Sequence, residues 1–382
     1  MVSNYLKNNK IFVLLIVIYY PLFKYFIFLN NNKGHTFLTS DWLINYNYGF
    51  VKRGLPGTIF MYVTKNPDLL LDIISGTLIT IYILIFFFLN KTFNSNKQNF
   101  ISYILIFSPT IFLFPIYDSQ GGFRKEIIGI LALFILTSFT TKRYYKVPII
   151  ISSIIYTLGL FSHSVNIFFL TTILFIIYKF YKSSSLIDYL IFVIPSILFI
   201  FVINFFSNSE QELYEIRDSI CNDLRDMDLF NLCGHGSFDY LVWDLNANLL
   251  ISQNFIINER REEYYLYIFL FLLSLIPFLF DKNFKNLIIP YTAIGISFIP
   301  LFVVAIDWGR WIFIMFICFL AVYLLSEKEI IVNKSYYLLI IYPVLFRVEH
   351  CCSPSFDLSL SYILNNLDWL IFNFQNIFLF RV

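Results

Sequence analysis

The sequence predicts an all-α, polytopic integral membrane protein with about twelve transmembrane helices and one long extramembrane loop. Three observations predict it. Of 382 residues, 58% are hydrophobic and 14% charged, whereas soluble domains carry roughly 25% charged residues. Apolar runs of about 20 residues, the length that crosses a bilayer as a helix, recur along the chain. Only residues 207–263 are hydrophilic over a long stretch, so 1–382 reads as a single transmembrane domain with 207–263 as its large external loop. The 47 Phe residues accompany abundant Ile, Asn, Tyr and Lys, as an AT-rich coding sequence gives, and most are expected to face lipid.

Lys7 and Lys10 precede a span over 11–30 and place the N-terminus in the cytoplasm, because cytoplasmic flanks collect Lys and Arg. That run is long for a signal peptide and lacks a small-residue cleavage site, so it is expected to stay as an anchor. The stretch 41–57 then lies outside. It holds Asp41, the Lys52-Arg53 pair, Gly49, Gly54, Gly57 and Pro56, a composition that resists a plain helix. A span over 69–90 returns to Lys91 and Lys97, a third over 99–116 emerges at 117–126, and a fourth over 127–141 ends at Lys142, Arg143 and Lys146. The run 147–180 is interrupted at Ser162-His163-Ser164 and reads as two short helices meeting near the outer face. One long tilted helix would instead invert every later loop and put Lys282, Lys285, Lys328 and Lys334 outside. A span over 186–206 leads into the acidic loop, where Leu213, Ile216, Ile220, Leu224 and Met227 recur at helical spacing and predict an amphipathic helix. Spans over 264–280, 286–306, 311–325, 335–347 and 364–380 complete the count, with both termini inside.

Two checks support this topology. It places Cys221, Cys233, Cys351 and Cys352 outside, which suits an oxidising compartment and allows a Cys221–Cys233 bridge. It also makes the short cytoplasmic loops Lys-rich while acids fall outside.

External cations in the short loops sit in tight clusters where spans meet the outer face: Asp41 with Lys52-Arg53, Asp118 with Arg124-Lys125-Glu126, His163 between two serines, and Asp307-Trp308-Gly309-Arg310. Ionised residues near lipid are costly and usually functional. Arg presents a planar fork matched to phosphate oxygens and Lys adds a point charge, so Arg53, Arg124 and Arg310 with Lys52 and Lys125 are expected to bind a diphosphate. No Walker loop, GxGxxG fingerprint, HExxH or CxxC pair is present, which leaves a nucleotide, a metal or a nucleic-acid partner without support, and no cofactor is expected. An external phosphate at a membrane face points to a polyprenyl-diphosphate-linked substrate whose tail lies between apolar helices. Glycan transfer from such a carrier needs a base; His163 is the first candidate because its pKa lies nearest neutrality, with Glu126, Asp307 and Asp41 as the others. Asp118 reads as a turn residue, and 347–352 reads as structural rather than as a zinc cage.

A chain with about a dozen spans, one large external loop and external arginines resembles the bacterial O-antigen polymerases of the Wzy type. The blocks 49–55 (Gly-Phe-Val-Lys-Arg-Gly-Leu), 121–126 (Gly-Gly-Phe-Arg-Lys-Glu) and 307–310 (Asp-Trp-Gly-Arg) look like recurring blocks of such proteins. The resemblance implies a glycosyltransferase of the bacterial inner membrane, its site facing the periplasm, joining undecaprenyl-diphosphate-linked oligosaccharide repeat units without metal or nucleotide. It implies membrane lipids and a chain-length regulator protein as partners, and Arg53, Arg124 and Arg310 as diphosphate ligands. Two other readings are a polyprenyl-phosphate-sugar-dependent transferase centred on an acid such as Asp41, and a flippase for the same lipids. Transporters commonly show paired repeats and midplane polar residues, neither of which is visible in the sequence.

Overall fold

The computed structural model describes residues 9–96, 99–140, 146–181, 184–206, 208–234, 236–243, 245–281, 284–326, 339 and 341–351. Among them every regular element is helical. Six helices are long and apolar enough to cross a membrane: α1 (Lys10–Asn31), α3 (Pro67–Ser95), α8 (Leu186–Phe205), α11 (Arg261–Leu279), α12 (Phe284–Val304) and α13 (Trp308–Leu325). Between them lie the shorter α2 (Leu55–Val63), α4 (Phe100–Ile106), α5 (Ile127–Thr137), α6 (Lys146–Ser162), α7 (Phe169–Phe180), α9 (Glu210–Asp226) and α10 (Leu245–Asn254).

The apolar faces decide the packing. In α1 the buried residues Ile11, Leu15, Tyr19, Phe23, Phe26 and Asn30 recur every three to four positions, forming one stripe laid on α3. Val17 and Phe28, off that stripe, remain exposed. Asn30 fastens the upper end of the pair by donating to Ser75 Oγ at 2.7 Å. The helix α3 starts cleanly because Asn66 accepts from the Leu69 N–H and Pro67 occupies a first-turn position that needs no donor. At the centre stands α13, in which every residue from Gly309 to Leu325 is buried, beside a nearly wholly buried α5.

The span expected over 99–116 is not one helix. α4 stops at Ile106, and single turns at Phe114–Tyr117 and Ser119–Gly122 follow. Pro109 and Pro115 each remove a backbone donor, and Ser108 before Pro109 is pushed from helical geometry. Irregular backbone inside a membrane bundle is stable only where protein surrounds it. Ile111, Phe112, Phe114 and Tyr117 are accordingly buried. α5 ends at Thr137 rather than near 141. The two short helices expected over 147–180 are present as α6 and α7, with a 3₁₀ turn, Ser164–Phe168, between them. Of the span expected over 335–347, the described part is 339 and 341–347, where only a single 3₁₀ turn occurs; 364–380 lies outside the described residues.

Polar contacts define two ends of the bundle. At one, Asp281 accepts from Tyr323 Oη at 2.6 Å and from Asn99 at 3.3 Å, and Thr92 meets Thr137. The other end carries the loops, and α9 lies across it. A Ser209–Glu212 capping box starts α9, and its buried stripe is Ile216, Ile220, Cys221 and Leu224. The Cys221–Cys233 disulfide pins its last turns. Tyr48 Oη donates to Asp223 at 2.6 Å and Asn208 to the Phe50 carbonyl at 2.6 Å, so α9 roofs the 46–50 segment.

Candidate functional site

The four charged clusters, far apart in sequence, meet at the loop-bearing end. Asp41 arrives on a one-turn helix, Ser40–Leu43, and is fully buried. Its Oδ1 lies 3.7 Å from Arg53 Nη1 and 3.8 Å from Lys125 Nζ. Lys125 also donates to the Arg53 carbonyl at 2.6 Å, which ties 53 to the 124–126 turn. Glu126 Oε1 lies 3.6 Å from His163 Nε2 and 3.6 Å from Arg310 Nε. Arg310 completes the chain by pairing Nη2 with Asp307 Oδ2 at 2.8 Å.

Local backbone makes this convergence possible. Gly57 sits where an added Cβ would lie 2.2 Å from the Ile44 carbonyl, so only glycine lets α2 approach the Asp41 helix. At Gly309 the same atom would lie 1.7 Å from the Glu349 carbonyl, and the Gly309 N–H donates to the His350 carbonyl. The 347–351 segment therefore wedges between α13 and the 118–122 turn. Asp118 holds it there: it accepts from the Gly121 N–H at 2.9 Å and faces His350 Nδ1 at 2.6 Å. Asp118 is a turn residue, as expected, and also the clamp for His350.

Depth matters as much as proximity. Tyr82, midway along α3, donates to the Gly122 carbonyl, so the 122–126 turn sits beside the middle of that helix. From Thr137, level with Thr92 near the opposite end, the rise along α5 to Glu126 is about 17 Å. A hydrocarbon core is about 30 Å thick, so the site is sunk below the bundle surface rather than lying on it.

Asp41 stands between the cations of Arg53 and Lys125, and Glu126 stands between Arg310 and the His163 ring. Its tautomer is set by Val165, whose N–H donates to Nδ1 at 3.2 Å. The ring proton then belongs on Nε2, which points an N–H towards Glu126.

Seven polar atoms of this cluster have no hydrogen-bond partner among the described residues: both oxygens of Asp41, both of Glu126, Arg124 Nε, and Arg310 Nε and Nη1. Buried polar atoms are nearly always satisfied, because leaving one unpaired costs about 1–3 kcal/mol and more for charged groups. Four of the seven belong to carboxylates whose charged neighbours stand 3.6–3.8 Å away, close enough for attraction but beyond hydrogen-bond reach, an arrangement that leaves them able to bond a polar ligand. Arg124 is partly committed elsewhere, donating to the Phe37 carbonyl at 2.7 Å and Ser237 Oγ at 2.8 Å. Lys52 is exposed, unlike the buried Lys125. Ser237 and Tyr240, from the large loop, complete the wall; Tyr240 lies in the fields of Asp307, Arg124 and Arg310. Nothing in their local sequence marks these two, since a Ser and a Tyr in a polar loop are unremarkable. Among the described residues no group of three His, Cys, Asp or Glu side chains is arranged to hold a metal. Comparisons with family models, with curated proteins and with solved structures find no match for the chain.

Proposed function

We propose that this chain is a membrane glycosyltransferase of the O-antigen polymerase kind, joining undecaprenyl-diphosphate-linked oligosaccharide units at the periplasmic face of a bacterial inner membrane. The observation that carries the reading is the sunken cluster in which cations and hydrogen-bond-free carboxylates occupy one space. Arg310 and Arg53 bind the diphosphate of the donor, Arg310 through Nε and Nη1, which make no hydrogen bond within the protein. Glu126 is the base. It takes the proton of an acceptor sugar hydroxyl, whose oxygen attacks the anomeric carbon of the donor chain. The bond from that carbon to the diphosphate oxygen breaks, and its electron pair leaves with the diphosphate, which the arginines stabilise. His163 presents an N–H towards Glu126 from 3.6 Å, so it offers a proton to the site rather than serving as the base. Site depth excludes water, which would otherwise compete as acceptor. The Cys221–Cys233 disulfide in the loop over the site favours an oxidising side of the membrane.

One observation favours a second reading. Asp41 is as buried and as free of hydrogen bonds as Glu126, which suits a transferase using a polyprenyl-monophosphate sugar with Asp41 as base. Purified protein given only lipid-linked repeat units separates the two, because a polymerase lengthens them without another donor. In cells, Arg53→Ala and Arg310→Ala are expected to abolish the ladder of polysaccharide lengths on a gel. An undiminished ladder at unchanged protein level refutes the assignment.

A further inference from the structure

A groove of about 480 Å³ runs between α11, α12 and α13, lined almost wholly by apolar and aromatic side chains. Its floor is the α13 row Ile312, Met315 and Phe319, buried and spaced every three to four residues. Its rim on α12 is exposed, with Ile296 61% accessible, so the groove opens sideways out of the bundle. Two features single it out from ordinary lipid-facing surface. The first is length. Lining positions on α12 extend from Phe284 to Phe302, a helical rise of about 27 Å, nearly the whole of a ~30 Å hydrocarbon core. A phospholipid acyl chain stays within one leaflet, about half that distance. The second is where the groove ends. Trp308, whose Nε1 donates to the Phe302 carbonyl at 2.8 Å, closes its upper end. The flanking residues are Asp307 and, past Gly309, Arg310, which pair at 2.8 Å inside the charged cluster.

We propose that this groove seats the polyisoprenyl chain of a lipid-linked phosphate, with Trp308 at the bend where the chain ends and the phosphate turns in towards Arg310. This rests on the reading of the charged cluster as a phosphate site. Gly295 provides the test, because it lines the groove and a Cβ added there meets nothing within 4 Å. Leu or Trp at that position starts from an unobstructed Cβ, adds bulk to the groove and improves helix propensity.

The experiment measures binding of undecaprenyl phosphate and of geranyl phosphate to the purified full-length protein in nanodiscs, with phosphatidic acid as competitor. The wild type is expected to bind the long chain more tightly than the short one. Gly295→Leu and Gly295→Trp are expected to weaken undecaprenyl phosphate about tenfold and leave geranyl phosphate unchanged. Arg310→Ala is expected to weaken both. Unaltered long-chain binding in both Gly295 variants overturns the groove assignment, as does equimolar displacement by phosphatidic acid; either result leaves the phosphate site standing if Arg310→Ala still weakens both probes. The converse, sensitivity to Gly295 with none to Arg310, removes the phosphate reading and keeps a groove for long chains.

Discussion

At the scale of single residues, the structure distinguishes groups that look alike in sequence. His163 is the imidazole beside Glu126, and its unperturbed pKa invites the role of base. A single backbone contact, Val165 N–H to Nδ1, turns the ring so that it offers a proton instead. Losing a general base costs about 10²–10⁴-fold in rate. Gln places its amide N–H near the position of Nε2, so His163→Gln is expected to retain activity within about tenfold of wild type, whereas Glu126→Gln falls by the full factor. Single-turnover rates on lipid-linked repeats check this, and a His163→Gln rate as low as that of Glu126→Gln restores His163 as base. Arg124 is half structural: its Nη1 already binds Phe37 and Ser237, which no sequence pattern announces.

At the scale of elements, the long apolar runs were plain in the sequence and the interruptions were not. Hydropathy sees 99–116 as one span because every residue but Ser102 from Phe100 to Phe107, and every residue from Ile111 to Phe114, is apolar. The prolines at 109 and 115 break it, and the resulting irregular turns are what carry Arg124, Lys125 and Glu126 to mid-depth. The amphipathic helix in the large loop was legible, since charge on one face and Ile216, Ile220 and Leu224 on the other leave little choice. What it covers was not. The helix α9 roofs the 46–50 segment, and Gly49 suits that place because its φ of +149° is one that side-chain-bearing residues rarely adopt, with Ile216 packed directly over it. The disulfide across a 12-residue separation restrains this roof by roughly 3 kcal/mol in the chain-entropy account. Cys221→Ser is expected to speed protease cleavage within 208–234 severalfold while the rest of the chain stays intact. Equal cleavage rates in the two proteins show that the helix needs no staple.

At the scale of the whole molecule, apolar runs of about 20 residues suit helices in a membrane, because a helix satisfies its backbone polar groups within the segment that carries them. Six of the described helices meet that demand at full length and three shorter ones are held by their neighbours. The two ends of the bundle separate Thr92, Thr137 and Asp281 from Asp41, Glu126 and Arg310, as alternating spans require. The sequence by itself determined the membrane class, the order of the long helices, the helix of the large loop and the identity of the charged clusters. Each is written in local composition and periodicity, which neighbours in the chain suffice to read. Only the tertiary structure decided that Asp41, Lys125, Glu126, His163 and Arg310 share one buried space, that the ring of His163 offers a proton, and that an apolar groove ends beside Arg310. The shared space depends on contacts between residues 37 (Glu126 to His163), 84 (Asp41 to Lys125) and 184 (Glu126 to Arg310) positions apart, and the ring of His163 is set by the shape of the turn it sits in; no local pattern encodes which distant side chain or helix face a residue will meet.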